Sequence, residues 1–348
     1  MTNLERLRQP SGMSSVRRAT GVWTLKGIPA GFAGLLVACG GTLDAGSDRA
    51  PPGLPVGPDN PVILVNDNVY DNWHGEYALL LAQAGAPRLA GVVVGVGSQW
   101  LDLDANVGGW QDLVAAARSS GMAKLPELVR SKNRILRRPV SGIIEETVPN
   151  GSLGAQYIAQ TSRRLAEPGK PLVVATGSRL TDVADAYLSD PTVAERIVVV
   201  ASVGSGFAGA SGVAKMGIPN GEQDPWADSI VIERLRYVQV SARYSQLTDV
   251  PSDRLAALPD NEFGAWIRAK QPDIFDIDAA ADQVSVIASG IPAYVTGFAR
   301  VSHTISDREP PTMTLDPEGA DWLVTTSDSG AATARFWQLL LDPMTFGG

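Results

Sequence analysis

A polar segment at residues 66–76 carries side chains that could do chemistry. Its carboxylates are Asp67, Asp71 and Glu76, and its amide, aromatic and imidazole side chains are Asn66, Asn68, Tyr70, Asn72, Trp73 and His74. A carboxylate can take a proton from water as a general base, and carboxylate and amide oxygens suit a hard cation or sugar hydroxyls. Simpler roles also exist: Asp71 or Asn72 could cap a following helix, and Trp73 could pack in the core.

Two further polar segments lie at residues 176–182 and 220–228. The second contains Asn220, Glu222 and Asp224, and ends at Asp228, which is placed to cap a helix. Glu222 is the strongest single functional candidate, because a carboxylate in a Gly-containing loop has no evident packing role.

These segments follow apolar runs of strand length. Strands are predicted at residues 62–65, 89–96, 171–175, 197–201 and 237–241; helices are predicted at 76–84, 110–118, 154–165, 181–188, 228–235, 278–288 and 331–341. Alternation of buried strands with helical periods predicts an α/β fold, a mostly parallel central sheet with helices on both faces. In such open sheets ligands bind beyond the carboxyl ends of the strands, where the three polar segments fall. Residues 61–348 read as one domain.

Composition argues against several classes of protein. The chain of 348 residues has 29 Lys and Arg, 37 Asp and Glu, a formal charge of -8, two histidines and one cysteine. An acidic balance disfavours nucleic-acid binding, and too few histidines and cysteines are present for a multi-His or Cys-rich metal site. The basic run at residues 130–138 is more typical of a solvated surface than of a nucleic-acid site.

The first 38 residues resemble a signal peptide of the lipoprotein type. Five basic side chains and one acidic side chain precede a short apolar stretch that ends at Cys39, in the string Leu-Val-Ala-Cys-Gly. This string resembles a bacterial lipobox, so we expect Cys39 to be lipidated and the protein to be exported and anchored to a membrane by lipid alone. The alternative is a buried apolar cysteine. Residues 39–60, rich in Gly and Pro, are expected to form a tether.

The three polar segments together resemble the inosine-uridine preferring nucleoside hydrolase family. A family motif, Asp-Thr-Asp-x-Gly-Asn-Asp-x-Asp-Asp-Ala-x-Ala-Leu, lies without gaps on residues 66–79. Residues 175–182 are similar to the Thr-Gly-x-Leu-Thr-Asn turn, 222–228 to the Glu-Phe-Asn-x-x-x-Asp segment, and 336–342 to the last helix. The likeness covers about residues 61–343, and it implies a Rossmann-like open sheet.

The resemblance also implies a calcium site, a ribonucleoside substrate and an aspartate base. The carboxylates that hold calcium in the family fall on Asn68, His74 and Gly75, so at least two anionic ligands are replaced. Thr176 matches the backbone-carbonyl ligand, and the late aspartate matches Asp278 or, in the other register, Asp276. Calcium prefers six to eight hard oxygen ligands, which makes its presence doubtful here.

Three functions stay open on this basis. The first is hydrolysis of the N-glycosidic bond of a ribonucleoside or related glycoside, with Asp67, Asp71 and His74 as catalytic residues and a rearranged or absent calcium site. The second is an inactive lipoprotein that binds a nucleoside or sugar, and the third is a structural or interaction protein with a vestigial pocket. The expected binding residues are Asn68, Asn72, Trp73, Ser98, Asn220, Glu222 and Asp224. The sequence leaves the oligomeric state open, a homo-oligomer included.

Overall fold

A computed structural model describes ten stretches of the chain: residue 54 and residues 56–69, 73–85, 87–97, 100–204, 213–215, 220–241, 256–270, 294–305 and 311–347. Several predicted features lie outside them, namely Cys39, Asp71, Asn72, Ser98, Asp276, Asp278 and the helix at 278–288. The backbone of His74 is described, but its side chain is not. Within the described residues, no helix is both long and apolar enough to cross a membrane.

The described strands form one ten-stranded sheet. They are β1 Pro61–Asn66, β2 Arg88–Val94, β3 Glu127–Arg130, β4 Leu172–Thr176, β5 Ile197–Gly204, β6 Val213–Lys215, β7 Arg236–Ser241, β8 Val295–Thr304, β9 Thr312–Leu315 and β10 Asp321–Ser327. Their order is β3-β2-β1-β4-β5-β7-β10-β8-β9-β6. The seven strands from β3 to β10 in this order are parallel, and the last three pair antiparallel.

The described helices are α1 His74–Ala84, α2 Leu103–Ser119, α3 Leu153–Leu165, α4 Thr181–Ser189, α5 Val193–Arg196, α6 Pro225–Arg234, α7 Glu262–Lys270 and α8 Ser329–Leu341. Capping side chains start several of them: Asp102 accepts from two N–H groups of α2, and Ser152 accepts from the Ala155 N–H of α3. The α1 helix ends at Gly85, whose φ of 102° lies in the left-handed region that glycine adopts readily.

Helices cover both faces of the sheet. Because side chains alternate along a strand, Val62 and Leu64 of β1 pack on one face with α1, α2, α7 and α8. Ile63 and Val65 pack on the other face with α3, α4 and α6. The central strands are therefore buried on both sides, and the uninterrupted apolar run of β1 meets that requirement.

The predicted α/β class and mostly parallel sheet are confirmed. The five predicted strands correspond to β1, β2, β4, β5 and β7, and the predicted helices that fall in described residues correspond to α1, α2, α3, α4, α6 and α8. The short strand β3, the helix α7 and the strands β6, β8, β9 and β10 were not predicted. These strands alternate polar and apolar residues or are very short, so they lack the continuous apolar run of a buried strand.

The strand order reverses between β1 and β4. From β1 the chain runs outward through β2 to β3, and it then returns to place β4 on the other side of β1. Ligands of open α/β sheets bind in the crevice that such a switch point opens at the carboxyl ends of the strands. Two backbone bonds tie the loops at this crevice, from Gly177 N–H to the Val65 carbonyl at 3.0 Å and from Gly95 N–H to the Asn66 carbonyl at 2.8 Å.

Candidate functional site

Three loops converge on Gly97 at the switch point. A Cβ atom placed on Gly97 would lie 2.5 Å from Asn220 Oδ1, 2.6 Å from Asp67 Oδ2 and 3.1 Å from Ser178 Cα. Real Cβ atoms essentially never approach another atom within 3.0 Å, so a side chain at position 97 would have to displace both oxygens. The crevice therefore brings together one carboxylate from the loop after β1 and one amide from the loop before α6.

Asn220 presents an acceptor oxygen at this point. Its Nδ2 donates to the Gly177 carbonyl at 2.7 Å, which fixes the amide plane against the loop after β4. Its Oδ1 is buried and has no hydrogen-bond partner within the described part of the chain. A buried acceptor without a donor is costly, so this oxygen is suited to a hydroxyl or N–H donor of a ligand.

Asp67 and Asn68 are positioned from α2. The Asp67 carbonyl accepts from Trp110 Nε1 at 3.1 Å, and Asp67 Oδ1 accepts from the Asn68 N–H at 2.7 Å. Asn68 Nδ2 donates to Asn106 Oδ1 at 2.9 Å, and Asn106 in turn donates to the carbonyls of Gly95 and Trp100. This polar network is buried and holds the loop after β1 against the loop after β2.

Arg179 places a cation beside the crevice, and its role was missed by the sequence reasoning. Its Nε donates to Gln223 Oε1 at 2.6 Å, and its Nη1 donates to Asn133 Oδ1 at 3.3 Å. Partial burial lowers the pKa of Arg179, and the charges of Asp224 and Asp67 oppose that lowering. The signal in the sequence was an arginine directly inside the Thr-Gly turn, where a charged side chain must face the carboxyl edge of the sheet.

Asp182 is a second side chain that the sequence did not single out. It is buried on α4 and accepts hydrogen bonds from the hydroxyls of Ser131 and Ser152. Burial raises its pKa to about 6, and the two hydroxyls partly counter this effect. Asp182 therefore ties the loops after β3 and before α3 to the edge of the crevice.

Three of the predicted binding residues have different surroundings. Trp73 is fully buried with its ring 5.8 Å from that of Phe336, in the core between α1 and α8. Both oxygens of Asp224 accept hydrogen bonds, from Thr181 Oγ1, the Leu136 N–H and the Ala227 N–H. Glu222 is exposed in a short 3-10 turn at Gly221–Gln223. The structure thus brings Asp67, Asn68 and Asn220 together, and it places Trp73 in the core and Glu222 at the surface.

The described donors suit calcium poorly. At the position of one family carboxylate, a Cβ on Gly75 would meet Leu113, Trp110 and Val69 at 3.0 to 3.3 Å, which is an apolar environment. Asn68 and Thr176 are buried at the ends of β1 and β4, and each could offer only a neutral carbonyl oxygen. Among the described residues, no group of three or more His, Cys, Asp and Glu side chains is placed to hold a metal ion. With Asp67 as the carboxylate of the crevice, neutral oxygens would have to supply the other ligands, and such a set binds a hard divalent cation weakly.

Comparison with known proteins identifies the fold. No family model and no curated protein sequence matches the chain. An inosine-uridine preferring nucleoside hydrolase from Bacillus anthracis superposes with a TM-score of 0.59 at 14% identity, over 81% of this chain and 99% of that chain. A plant nucleoside hydrolase superposes with a TM-score of 0.56 at 18% identity, over 82% of this chain and 100% of that chain.

A third solved structure, a purine-preferring ribonucleoside hydrolase from Gardnerella vaginalis, gives a TM-score of 0.54 at 16% identity, over 82% of this chain and 99% of that chain. All three similarities span nearly the whole of the known structures, so they concern the complete domain and not a shared half-sheet. The chain therefore has the fold of the nucleoside hydrolases.

Proposed function

We propose that this chain binds a nucleoside or a related glycoside in the crevice between β1 and β4. The observation that carries the proposal is the convergence of the Asp67 carboxylate and the Asn220 amide oxygen on Gly97 at the switch point. Both groups accept hydrogen bonds, and a sugar ring offers several hydroxyl donors. Polar groups that are few, fixed and convergent are what orient a small ligand in a pocket.

Hydrolysis of the N-glycosidic bond is the second candidate, and the fully buried Asp67 favours it. In this mechanism Asp67 takes a proton from water, and the water oxygen forms a bond to the anomeric carbon. The carbon–nitrogen bond breaks, its electron pair goes to the leaving base, and a proton donor neutralises that base. His74 is the candidate donor from the sequence. General-base assistance of this kind contributes about 10²- to 10⁴-fold to a rate. We derive no step through calcium, because the described donors suit it poorly.

Calorimetric titration of the purified full chain with inosine, uridine and ribose tests the binding proposal. Asn220→Ala is expected to weaken nucleoside binding by about tenfold, since it removes a buried acceptor at the crevice. Glu222→Gln is expected to weaken it less, because Glu222 is exposed. The matched control is Gln338→Ala, an exposed amide on α8. No detectable heat with any of the three ligands, under conditions where the protein is folded, would contradict the proposal.

Chromatography of the free base released from the same nucleosides separates binding from hydrolysis. Turnover that is lost in Asp67→Asn while nucleoside affinity is retained supports the hydrolase. Saturable binding without any release of base supports a binding protein instead. Each assay is run with added calcium and with a chelator, and we expect equal results, since the described residues offer calcium no anionic cluster. Binding that requires calcium would show that residues outside the described stretches complete a metal site.

A further inference from the structure

A groove of about 660 Å³ lies at the carboxyl ends of β2 and β3. It is lined by two short segments, residues 101–104 before and at the start of α2 and residues 130–134 at and after the end of β3. The groove opens on the same edge of the sheet as the crevice. Because β2 alone separates β3 from β1, and neighbouring strands are about 4.8 Å apart, the ends of β1 and β3 are about 10 Å apart.

Positive charge predominates on the side of the groove formed by residues 130–134. Arg130 pairs with Asp104, and Asp102 is committed to capping α2, so the two carboxylates of the lining are both occupied. Lys132 Nζ donates to the carbonyls of Asn150 and Gly151 at 2.8 and 3.2 Å, which leaves its charge without a counter-ion among the described residues. Arg134 is exposed, and no described carboxylate pairs with it. The lining therefore carries three cationic and two anionic side chains, and among the described residues Lys132 and Arg134 have no carboxylate partner.

Polar contacts connect the groove to the crevice. Asn133, in the groove lining, accepts from Arg179 Nη1 at 3.3 Å, and Arg179 interacts electrostatically with Asp67. Asn133 Nδ2 also donates to the Leu101 carbonyl at 3.0 Å, which joins the two segments of the lining. On the other side, Ser131 donates to the buried Asp182. These contacts place the groove directly beside the crevice on the same edge of the sheet.

We propose that the groove binds a phosphoryl group carried by the ligand of the crevice, so that the natural ligand is a nucleoside phosphate or a sugar phosphate. This inference rests on the proposed function. The lining offers donors that suit a phosphate: a guanidinium, which matches phosphate oxygens in a two-point geometry, an ammonium and an amide. The acidic remainder of the chain would repel anions elsewhere on the surface.

Calorimetry on the folded full chain at low ionic strength tests the inference with four probes: uridine, uridine 5′-monophosphate, ribose 5-phosphate and inorganic phosphate. The monophosphate is expected to bind at least tenfold more tightly than uridine, and the difference is expected to shrink with added salt. Arg134→Gln is expected to weaken binding of the monophosphate about fivefold and to leave binding of uridine unchanged. Arg134→Lys, which keeps the charge, should restore most of the loss.

Arg88→Gln is the matched control. It removes the same charge from an exposed arginine at the start of β2, about 20 Å along the strand from the groove, and it should alter neither affinity. Equal affinities for uridine and its monophosphate would overturn the inference and leave the proposed function intact. Inorganic phosphate that binds as tightly as the esters would also overturn it, by showing a free-anion site unconnected to the crevice. If neither uridine nor any ester binds, both the inference and the proposed function fail.

Discussion

Gly97 is the residue on which the geometry of the crevice depends most directly. An alanine methyl would collide with Asn220 Oδ1 and Asp67 Oδ2, at 2.5 and 2.6 Å. Both side chains are buried, and turning them away would break the bond from Asn220 Nδ2 to the Gly177 carbonyl and the bond from the Asn68 N–H to Asp67 Oδ1. We expect Gly97→Ala to cost about 1–3 kcal/mol of stability and to weaken nucleoside binding at least tenfold.

Gly108→Ala is the matched control for that substitution, measured by urea unfolding and calorimetry. Gly108 lies inside α2, where a Cβ would meet nothing within 4 Å. Alanine there should raise the stability by about 0.5–1 kcal/mol, because glycine is a poor helix residue. A Gly97→Ala protein that binds nucleosides normally would show that the two oxygens do not take part in binding.

Glu76 is a buried carboxyl at the start of α1. Its oxygens have no hydrogen-bond partner in any other described residue, and burial raises the pKa of Glu76 from 4.5 to about 8. A raised folded-state pKa means that the cost of ionising the group is absent below pH 4.5, grows up to about pH 8 and is constant above it. We expect Glu76→Gln to raise the free energy of unfolding by about 3 kcal/mol at pH 7 and to have no effect near pH 4.

Urea unfolding from pH 4 to pH 9 measures this difference, with Glu318→Gln, an exposed side chain, as the control. The control should follow the wild type at every pH. If Glu76→Gln instead lowers the stability at pH 7, the carboxylate is ionised and has a cationic partner in the native protein. The imidazole of His74 is the nearest group in the sequence that could provide one.

At the scale of elements, the central parallel strands were predictable from the sequence, whereas the edge strands and the polar contacts between strands were not. The strands β1 and β4 are continuous apolar runs because both of their faces are covered, and that pattern is visible in sequence. The strand β3 is only half-buried, so its four residues, Glu-Leu-Val-Arg, give no such run. Nothing in the sequence around His303 indicates a partner for it, and antiparallel pairing of β8 with β10 brings its Nδ1 to 2.9 Å from Asp321 Oδ2. Pairing between distant strands decides such contacts.

Asp224 is a residue that the sequence suggests for ligand binding and that the structure uses as a helix cap. Its carboxylate caps α6 through the Ala227 N–H, and it also holds Thr181 of α4 and the backbone of Leu136. Asp224→Ala would leave buried donors unpaired, and we expect it to lower the free energy of unfolding by about 2–4 kcal/mol.

Asp224→Asn keeps the shape of the side chain but only one acceptor oxygen, so it retains part of these hydrogen bonds. We expect its stability in thermal and urea unfolding to lie between that of the wild type and that of Asp224→Ala. Burial raises the pKa of Asp224, and its charge in turn helps to raise the pKa of the buried Asp228, so a neutral amide also relieves repulsion. Nucleoside affinity should be the same in Asp224→Asn and in the wild type. Normal stability combined with lost affinity in Asp224→Ala would instead assign the carboxylate to the ligand.

At the scale of the whole molecule, strand order decides which polar loops become one site. The segments after β1 and β4 are more than 100 residues apart in sequence, and they meet because β4 returns to pair with β1. Both segments were recognised as polar in the sequence, but Asn106, Arg179 and Asp182 were not, because their roles arise only when α2, the loop after β4 and α4 pack around the same crevice. The polar loops are visible in a single sequence. Which of them come into contact depends on the order of the strands in the sheet, which the sequence does not show.

Attachment of the whole chain to a membrane would depend on one residue, Cys39. Cys39 is the only cysteine, so its replacement cannot be compensated by acylation of another thiol. We propose that it is lipidated and predict that Cys39→Ser abolishes incorporation of labelled palmitate and moves the protein from the membrane fraction to the soluble fraction. Stable anchoring requires more than one acyl chain, because one chain gives only marginal binding.

Ser47→Ala, in the same Gly- and Pro-rich segment, is the control and should label like the wild type. Residues 1–38 carry five basic side chains and one acidic one, so their removal before Cys39 would leave a more acidic protein at the membrane surface. Equal labelling of wild type and Cys39→Ser would contradict the anchor. If the substitution lowers stability as well, Cys39 is an apolar packing residue, because a buried thiol that becomes a hydroxyl loses part of its transfer free energy.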